Sequence, residues 1–242
     1  MVNGIEIFLL ALGASFVQRT TGFGFGIFIM TMLPFLMPSY GEATTLSGLL
    51  ALTTSITIAI RMRKLVSWKR LCPILAAFII SSAAAICLLS RVEGSLMRQI
   101  LGIVLIATGL YFAFLRHRIH IGTSPAWQTG AGTLSGIMGG FFGMQGPPAV
   151  LYFISSEPDK EHYMAMTQMY FAIGNAGMTV MRSFNGYLTE TVGRGYLAGL
   201  GGAAVGLLLG GYAFRHIPNR IFSYIVYAYI CISGLIILLT YL

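Results

Sequence analysis

The sequence predicts an all-α polytopic membrane protein made of two inverted repeats, and three observations lead there. Of the 242 residues, 56% are hydrophobic and only 9% are charged, against roughly 25% charge in ordinary soluble domains. The apolar residues gather into runs long enough to cross a bilayer, which asks for about 20 residues of helix. Two of these runs are interrupted at depth by glycine, one in each half: Thr20-Thr21-Gly22-Phe23-Gly24-Phe25-Gly26 and Gly136–Pro148.

Taken in order, 42–61, 69–90, 96–115, 162–182, 195–214 and 219–241 read as six unbroken spans. Regions 5–37 and 125–156 remain, each cut by its glycine stretch. Their pieces 5–18, 27–37, 125–138 and 147–156 reach roughly 15–21 Å at 1.5 Å per residue, short of a hydrocarbon core of about 30 Å. Each region is either one long broken helix or a re-entrant hairpin that enters and returns on one side, and segment length favours the hairpin. Each half is then a hairpin plus three helices, eight helical regions in all, with repeats over residues 1–120 and 121–242. An odd number of crossings per half inverts the second half, the plan of many secondary transporters. An offset of 119 residues aligns Gly13 with Gly132, Gly24 with Gly143, Glu42 with Glu161 and Arg63 with Arg182, an echo close to chance. The linker Arg116-His117-Arg118-Ile119-His120 marks the boundary and reads as a solvated basic loop.

The net charge of +8 fits positive cytoplasmic loops, so no nucleic-acid partner is expected. The loop 61–70, with Arg61, Arg63, Lys64, Lys69 and Arg70, is placed in the cytoplasm, and the protein in the bacterial inner membrane. Cys72, Cys87 and Cys231 lack metal spacing and read as small buried hydrophobes. No cleavable signal peptide is expected. The sequence has no HExxH, no paired intramembrane carboxylates and no metal cluster, so neither an enzyme nor a cofactor is expected.

The breaks are where chemistry is expected. Glycine disfavours a helix interior by about 1 kcal/mol relative to alanine, and proline removes an amide donor. Lipid tolerates such backbone only where protein or a water-filled cavity covers it. At the first break Arg19, Thr20, Thr21, Gly22 and Gly24 are candidate binding residues. A guanidinium suits an oxyanion, and an intramembrane charge is a functional hypothesis by default. At the second, Gly139, Gly140, Gly143, Gln145 and Gly146 precede a half-helix opening at Pro147. Two half-helix N-termini, each partly positive, would then face a small anion. On 162–182, Gln168, Asn175 and Arg182 recur at sevens and share one face, with Asn175 nearest the midplane. The hydroxyls of 42–61 read as partners for backbone carbonyls. The stripe Gly202-xxx-Gly206-xxx-Gly210 reads as close helix packing, within the chain or across a homodimer.

The paired motifs Thr21-Gly22-Phe23-Gly24-Phe25-Gly26 and Ser135–Pro148, with the basic loop 61–70, resemble the sulfite exporter TauE/SafE family, also called the 4-toluene sulfonate uptake permease family. The resemblance covers essentially the whole chain. It implies a membrane transporter of sulfur-containing anions such as sulfite, thiosulfate, sulfoacetate or other sulfonates. The residues alone say only "small anion", moved by alternating access or through a channel.

Overall fold

The computed structural model describes residues 4–115, 122–157, 159–216 and 219–241. The basic linker with Arg116, His117, Arg118 and His120 lies outside them, as do the side chains of Arg215 and Arg220. The described chain is helical, with no strand among its described residues. Its elements are α1 (Gly4–Thr21), α2 (Phe25–Ile29), α3 (Leu33–Leu36), α4 (Tyr40–Met62), α5 (Trp68–Leu89) and α6 (Gly94–Leu110), followed by α7 (Pro125–Phe142), α8 (Gly146–Ser156), α9 (Lys160–Phe184), α10 (Glu190–His216) and α11 (Asn219–Tyr241).

The medium the fold is made for shows in its inverted surface. Leu208 is 76% exposed, Ile80 72% and Leu197 70%, while Gln18, Thr54, Ser55, Gln168, Asn175 and Arg182 are all buried. Apolar side chains outside and polar ones inside are what lipid demands. Among the described residues, four stretches are long and apolar enough to cross a membrane: Tyr40–Leu65, Trp68–Leu89, Gly94–Phe114 and Glu190–Ala213. That is fewer than the six expected. α9 has 25 residues and falls short in composition, because its polar face is spent inside the bundle. In α11 the apolar stretch with described side chains is Ala228–Tyr241. Cys72 and Cys87 also depart from expectation, standing exposed on the outer surface.

α1 packs on α10, α7 on α5, α6 on α11 and α4 on α9. Small residues bring these axes together. A Cβ on Gly202, Gly206 or Gly210 would strike the α1 backbone at Phe8, Leu12 or Phe16. The stripe expected to pack therefore does so within the chain, onto α1. Gly132, Gly136 and Gly140 do the same for α7, against Ile74, Phe78 and Ser82 of α5. Gly102 and Gly234 meet reciprocally, each missing Cβ lying 2.8 Å from the other's carbonyl oxygen.

The two broken regions are bent back on themselves. Gln128 near the start of α7 donates to the Arg70 carbonyl at 2.6 Å. The Arg70 guanidinium reaches the Ser156 carbonyl at 3.3 Å and the Glu157 carboxylate at 3.5 Å, at the end of α8. Both ends of α7–α8 therefore sit at the first turn of α5. The α1–α3 region opens toward the other end of the bundle. Gly4 lies against Ala198 of α10, and Glu42 in the first turn of α4 accepts from Thr189, just before α10, at 2.5 Å. Ser39 caps α4, its Oγ accepting from the Glu42 N–H at 3.2 Å and donating to the Glu42 carboxylate at 2.8 Å.

The long arms outrun the expected lengths. α1 and α7 are each 18 residues, about 27 Å, because the chain stays helical into the glycine stretches and breaks within them, at Gly22–Gly24 and Gly143–Gln145. Helix continues through Arg19-Thr20-Thr21, where the Thr20 and Thr21 hydroxyls bond the carbonyls of Phe16 and Val17 without ending it. It continues through Gly139 and Gly140 because closeness to α5 and α9 compensates for the missing side chains.

Candidate functional site

Each long helix ends on a glycine in the left-handed region, Gly22 at φ 86° and Gly143 at φ 67°. In each, the amide returns to the carbonyl four residues back, Gly22 to Gln18 at 2.8 Å and Gly143 to Gly139 at 3.0 Å, the simple αL stop of a helix. The stops lie 121 residues apart rather than 119. Gly24, at φ 94°, then turns the chain into α2. The turns meet in mid-bundle. A Cβ on Gly26 would collide with the Gly143 carbonyl oxygen, so the hairpins cross in backbone contact that only glycine permits.

Beside that crossing is a cavity of about 30 Å³, room for on the order of one to three waters. Its polar lining comes from Gln18, Ser55, Gln145 and Asn175, with the backbone of Gly24–Gly26 and Gly143–Gly146. Gln18 is held by protein: its amide nitrogen donates to Ser55 Oγ at 3.0 Å and Gln168 Oε1 at 3.2 Å, and its oxygen accepts from Thr54 at 2.7 Å. Gln168 donates onward to the Gly22 carbonyl at 2.8 Å. Gln145 is held loosely. Its Nε2 lies 3.5 Å from the Phe171 carbonyl, and its Oε1 has no hydrogen-bond partner although buried. A buried amide so poorly satisfied is costly, unless a ligand or water completes it. Its backbone is fixed, since Ser135 Oγ donates to the Gln145 carbonyl and Tyr170 OH donates to Ser135 Oγ at 2.9 Å.

Residues 7–237 match the family described as Sulfite exporter TauE/SafE. The chain belongs to that family. No curated protein and no solved structure matches it. As a TauE/SafE protein it is a member of a membrane transporter family, and the anion chemistry expected of the breaks is to be sought at this cavity.

Of the residues expected at this TauE/SafE site, Gly24, Gly143, Gln145, Gly146 and Asn175 line the cavity. Gly22 stands behind it, its carbonyl taken by Gln168. The Thr20 hydroxyl is turned onto its own helix, and the Thr21 hydroxyl bonds the Val17 carbonyl and the backbone of Phe23 in the break. Gly139 and Gly140 admit close neighbours, among them Phe78, Met178 and Ala85, rather than facing the cavity. Arg19 is placed away from the cavity lining. Because α1 stays helical, Arg19 is rotated about 100° from Gln18, and its stem packs on Gly210 of α10 with Nε 3.6 Å from where a Gly211 Cβ would be. The helix N-termini also offer less than expected. α2 has five residues, and α8 opens with Pro147 and Pro148, which carry no amide hydrogen.

The charge beside the site belongs to α9 instead. Arg182, on the face it shares with Gln168 and Asn175, is fully buried. Its Nη1 donates to the Thr44 carbonyl at 2.9 Å, and its Nη2 to Gly139 and Gly140 at 2.8 and 3.1 Å. These last two are end-of-helix carbonyls of α7, where partial negative charge collects. Gln168 caps the broken end of α1 as Arg182 caps that of α7, and Asn175 lies between. The seven-residue spacing was the sequence signal for this face. Gln18 carried none, standing beside a more conspicuous arginine.

Proposed function

We propose that this protein is a secondary transporter of small sulfur-containing anions, such as sulfite, thiosulfate, sulfoacetate or other sulfonates, working by alternating access around the crossing of its two broken helices. Family membership supports the class of cargo. The observation that carries the site is the cavity at the Gly26–Gly143 crossing, with the under-bonded Gln145 amide and Asn175 in its lining. We read residues 1–120 and 121–242 as inverted repeats, each a re-entrant hairpin and three helices. The pairing of α1 with α10 and of α7 with α5, and the hairpins opening toward opposite ends, support that reading. A cavity of about 30 Å³ is tight for a hydrated anion, which favours a closed state that must rearrange over a channel.

The test is flux of labelled sulfite, thiosulfate and sulfoacetate in proteoliposomes. Saturable flux that drops in Gln145→Ala and Asn175→Ala is the expected result. Linear, non-saturating flux makes the protein a channel. Flux unchanged in both variants removes the cavity from the path.

A further inference from the structure

Arg182 is a complete positive charge in the interior, and among the described residues no carboxylate pairs with it. Removing an ion from water costs several kcal/mol even after relaxation, so such a residue needs a reason to remain. Its three carbonyl partners use three of the five N–H groups that a guanidinium carries. Two are left, one on Nη1 and one on Nε, and Nε has no partner although buried.

The Nη1 side of the guanidinium packs against Gly48. Gly48 on α4 has no side chain, and the point its Cβ would occupy lies 3.2 Å from Arg182 Nη1, 3.8 Å from Thr179 Oγ1 and 3.9 Å from Asn175 Oδ1. Thr179 Oγ1 and the neighbouring Ser47 Oγ are further buried hydroxyls without a partner. Ser47 Oγ is 3.5 Å from where a Gly143 Cβ would sit, which brings it to the break itself. Asn175 touches the same point and also lines the cavity. Guanidinium and under-bonded hydroxyls thus gather around Gly48, with Asn175 joining them to the cavity. Convergent donors of this kind suit an oxyanion, which accepts two parallel N–H bonds from a guanidinium.

We infer that Arg182 is the charge-bearing ligand of the transported anion, reached from the cavity past Gly48 and Asn175 when the bundle rearranges, and that the α7 carbonyls of Gly139 and Gly140 hold the guanidinium until the anion takes it over. The inference rests on the transporter reading above and adds a mechanism to it. The anion and the broken end of α7 compete for one guanidinium, so binding loosens the α7–α8 hairpin. A residue serving only as a helix cap would stabilise α7 equally with and without anion.

Thermal unfolding of the purified full-length protein in detergent, titrated with sodium sulfite and with sodium thiosulfate against sodium chloride at equal ionic strength, separates the two roles. The wild-type protein is expected to show a saturable rise in melting temperature with sulfite or thiosulfate. Arg182→Gln should melt lower without anion and show no anion-dependent rise. Arg182→Lys keeps the charge but loses the fork, and should need about tenfold or more anion to reach half the rise. Gly48→Ala places a methyl 3.2 Å from Nη1; it should fold and shift the midpoint upward. If Arg182→Gln does not fold, the lysine and Gly48→Ala variants decide. A full rise at the wild-type midpoint in either arginine variant, or an unshifted Gly48→Ala, overturns the role of Arg182 and leaves the transporter reading standing. A wild-type protein that responds to neither anion overturns the anion reading itself.

Discussion

Gly26→Ala probes the crossing of the hairpins most directly. The added methyl would strike the Gly143 carbonyl oxygen, with the Gly143 carbonyl carbon at 3.2 Å and Met144 Cα at 3.4 Å. All three are backbone atoms, and Gly143 is fixed at φ 67°, so no side chain can swing aside. Restoring ordinary contact requires the hairpins to part by roughly 1 Å, given carbon contacts near 3.5–4.0 Å. Overpacking of this kind costs about 1–3 kcal/mol, or about 2–4 °C of melting temperature per kcal/mol at this size. Alanine by itself favours a helix over glycine by about 1 kcal/mol, so the comparison must subtract that gain. Gly177 on α9 supplies the reference, because nothing lies within 4 Å of its missing Cβ. Gly177→Ala should melt at or above the wild-type temperature with unchanged sulfite flux, while Gly26→Ala melts lower and loses flux. If the two variants behave alike, the backbone crossing does not exist as described.

Three other outcomes follow from single contacts. Gln18→Leu strips a donor from Ser55 and Gln168, at about 1–3 kcal/mol for each group left unsatisfied; a melt in detergent should show it, and an unchanged melting temperature counts against the network. Gly206→Leu drives a side chain into the Leu12 carbonyl and Ser15, and should lower both expression and melting temperature by splitting α1 from α10. At the start of α9, Asp159 accepts the backbone amides of His162 and Glu161 at 2.9 Å each, and the His162 amide above all holds its carboxyl below the usual carboxylate range. A lowered carboxyl favours the fold in full above its unfolded value and loses that contribution as pH falls through its folded value. Asp159→Ala should therefore lower the melting temperature at neutral pH and leave it unchanged in acid, which a pH series of melts would read.

Much of the plan can be read in the sequence because lipid makes it explicit. Glycine at 22, 24 and 143 marked the breaks, since a left-handed turn inside an apolar run has few other solutions. The face bearing Gln168, Asn175 and Arg182 followed from helical periodicity, and Gly202, Gly206 and Gly210 from their spacing. The helix ends were harder to read, because α1 stays helical through Thr20 and Thr21 and stops only at the left-handed Gly22, which composition does not display.

The arginines show why the rest was hidden. Arg19 stands next to a break in sequence and Arg182 stands far from both, yet Arg182 holds the broken end of α7. Proximity along the chain said nothing about which face of α1 meets the cavity; one residue of helix separates Gln18, inside, from Arg19, against α10. Nor could the partners of Arg182 be foreseen, because they are backbone carbonyl oxygens, of Thr44 on α4 and of Gly139 and Gly140 in the last turn of α7, and not side chains. A pattern search looks for a carboxylate to match a buried cation. Here a broken helix supplies the matching partial charge from its own backbone, so the break that makes room in the bundle also makes the place where an arginine can stay.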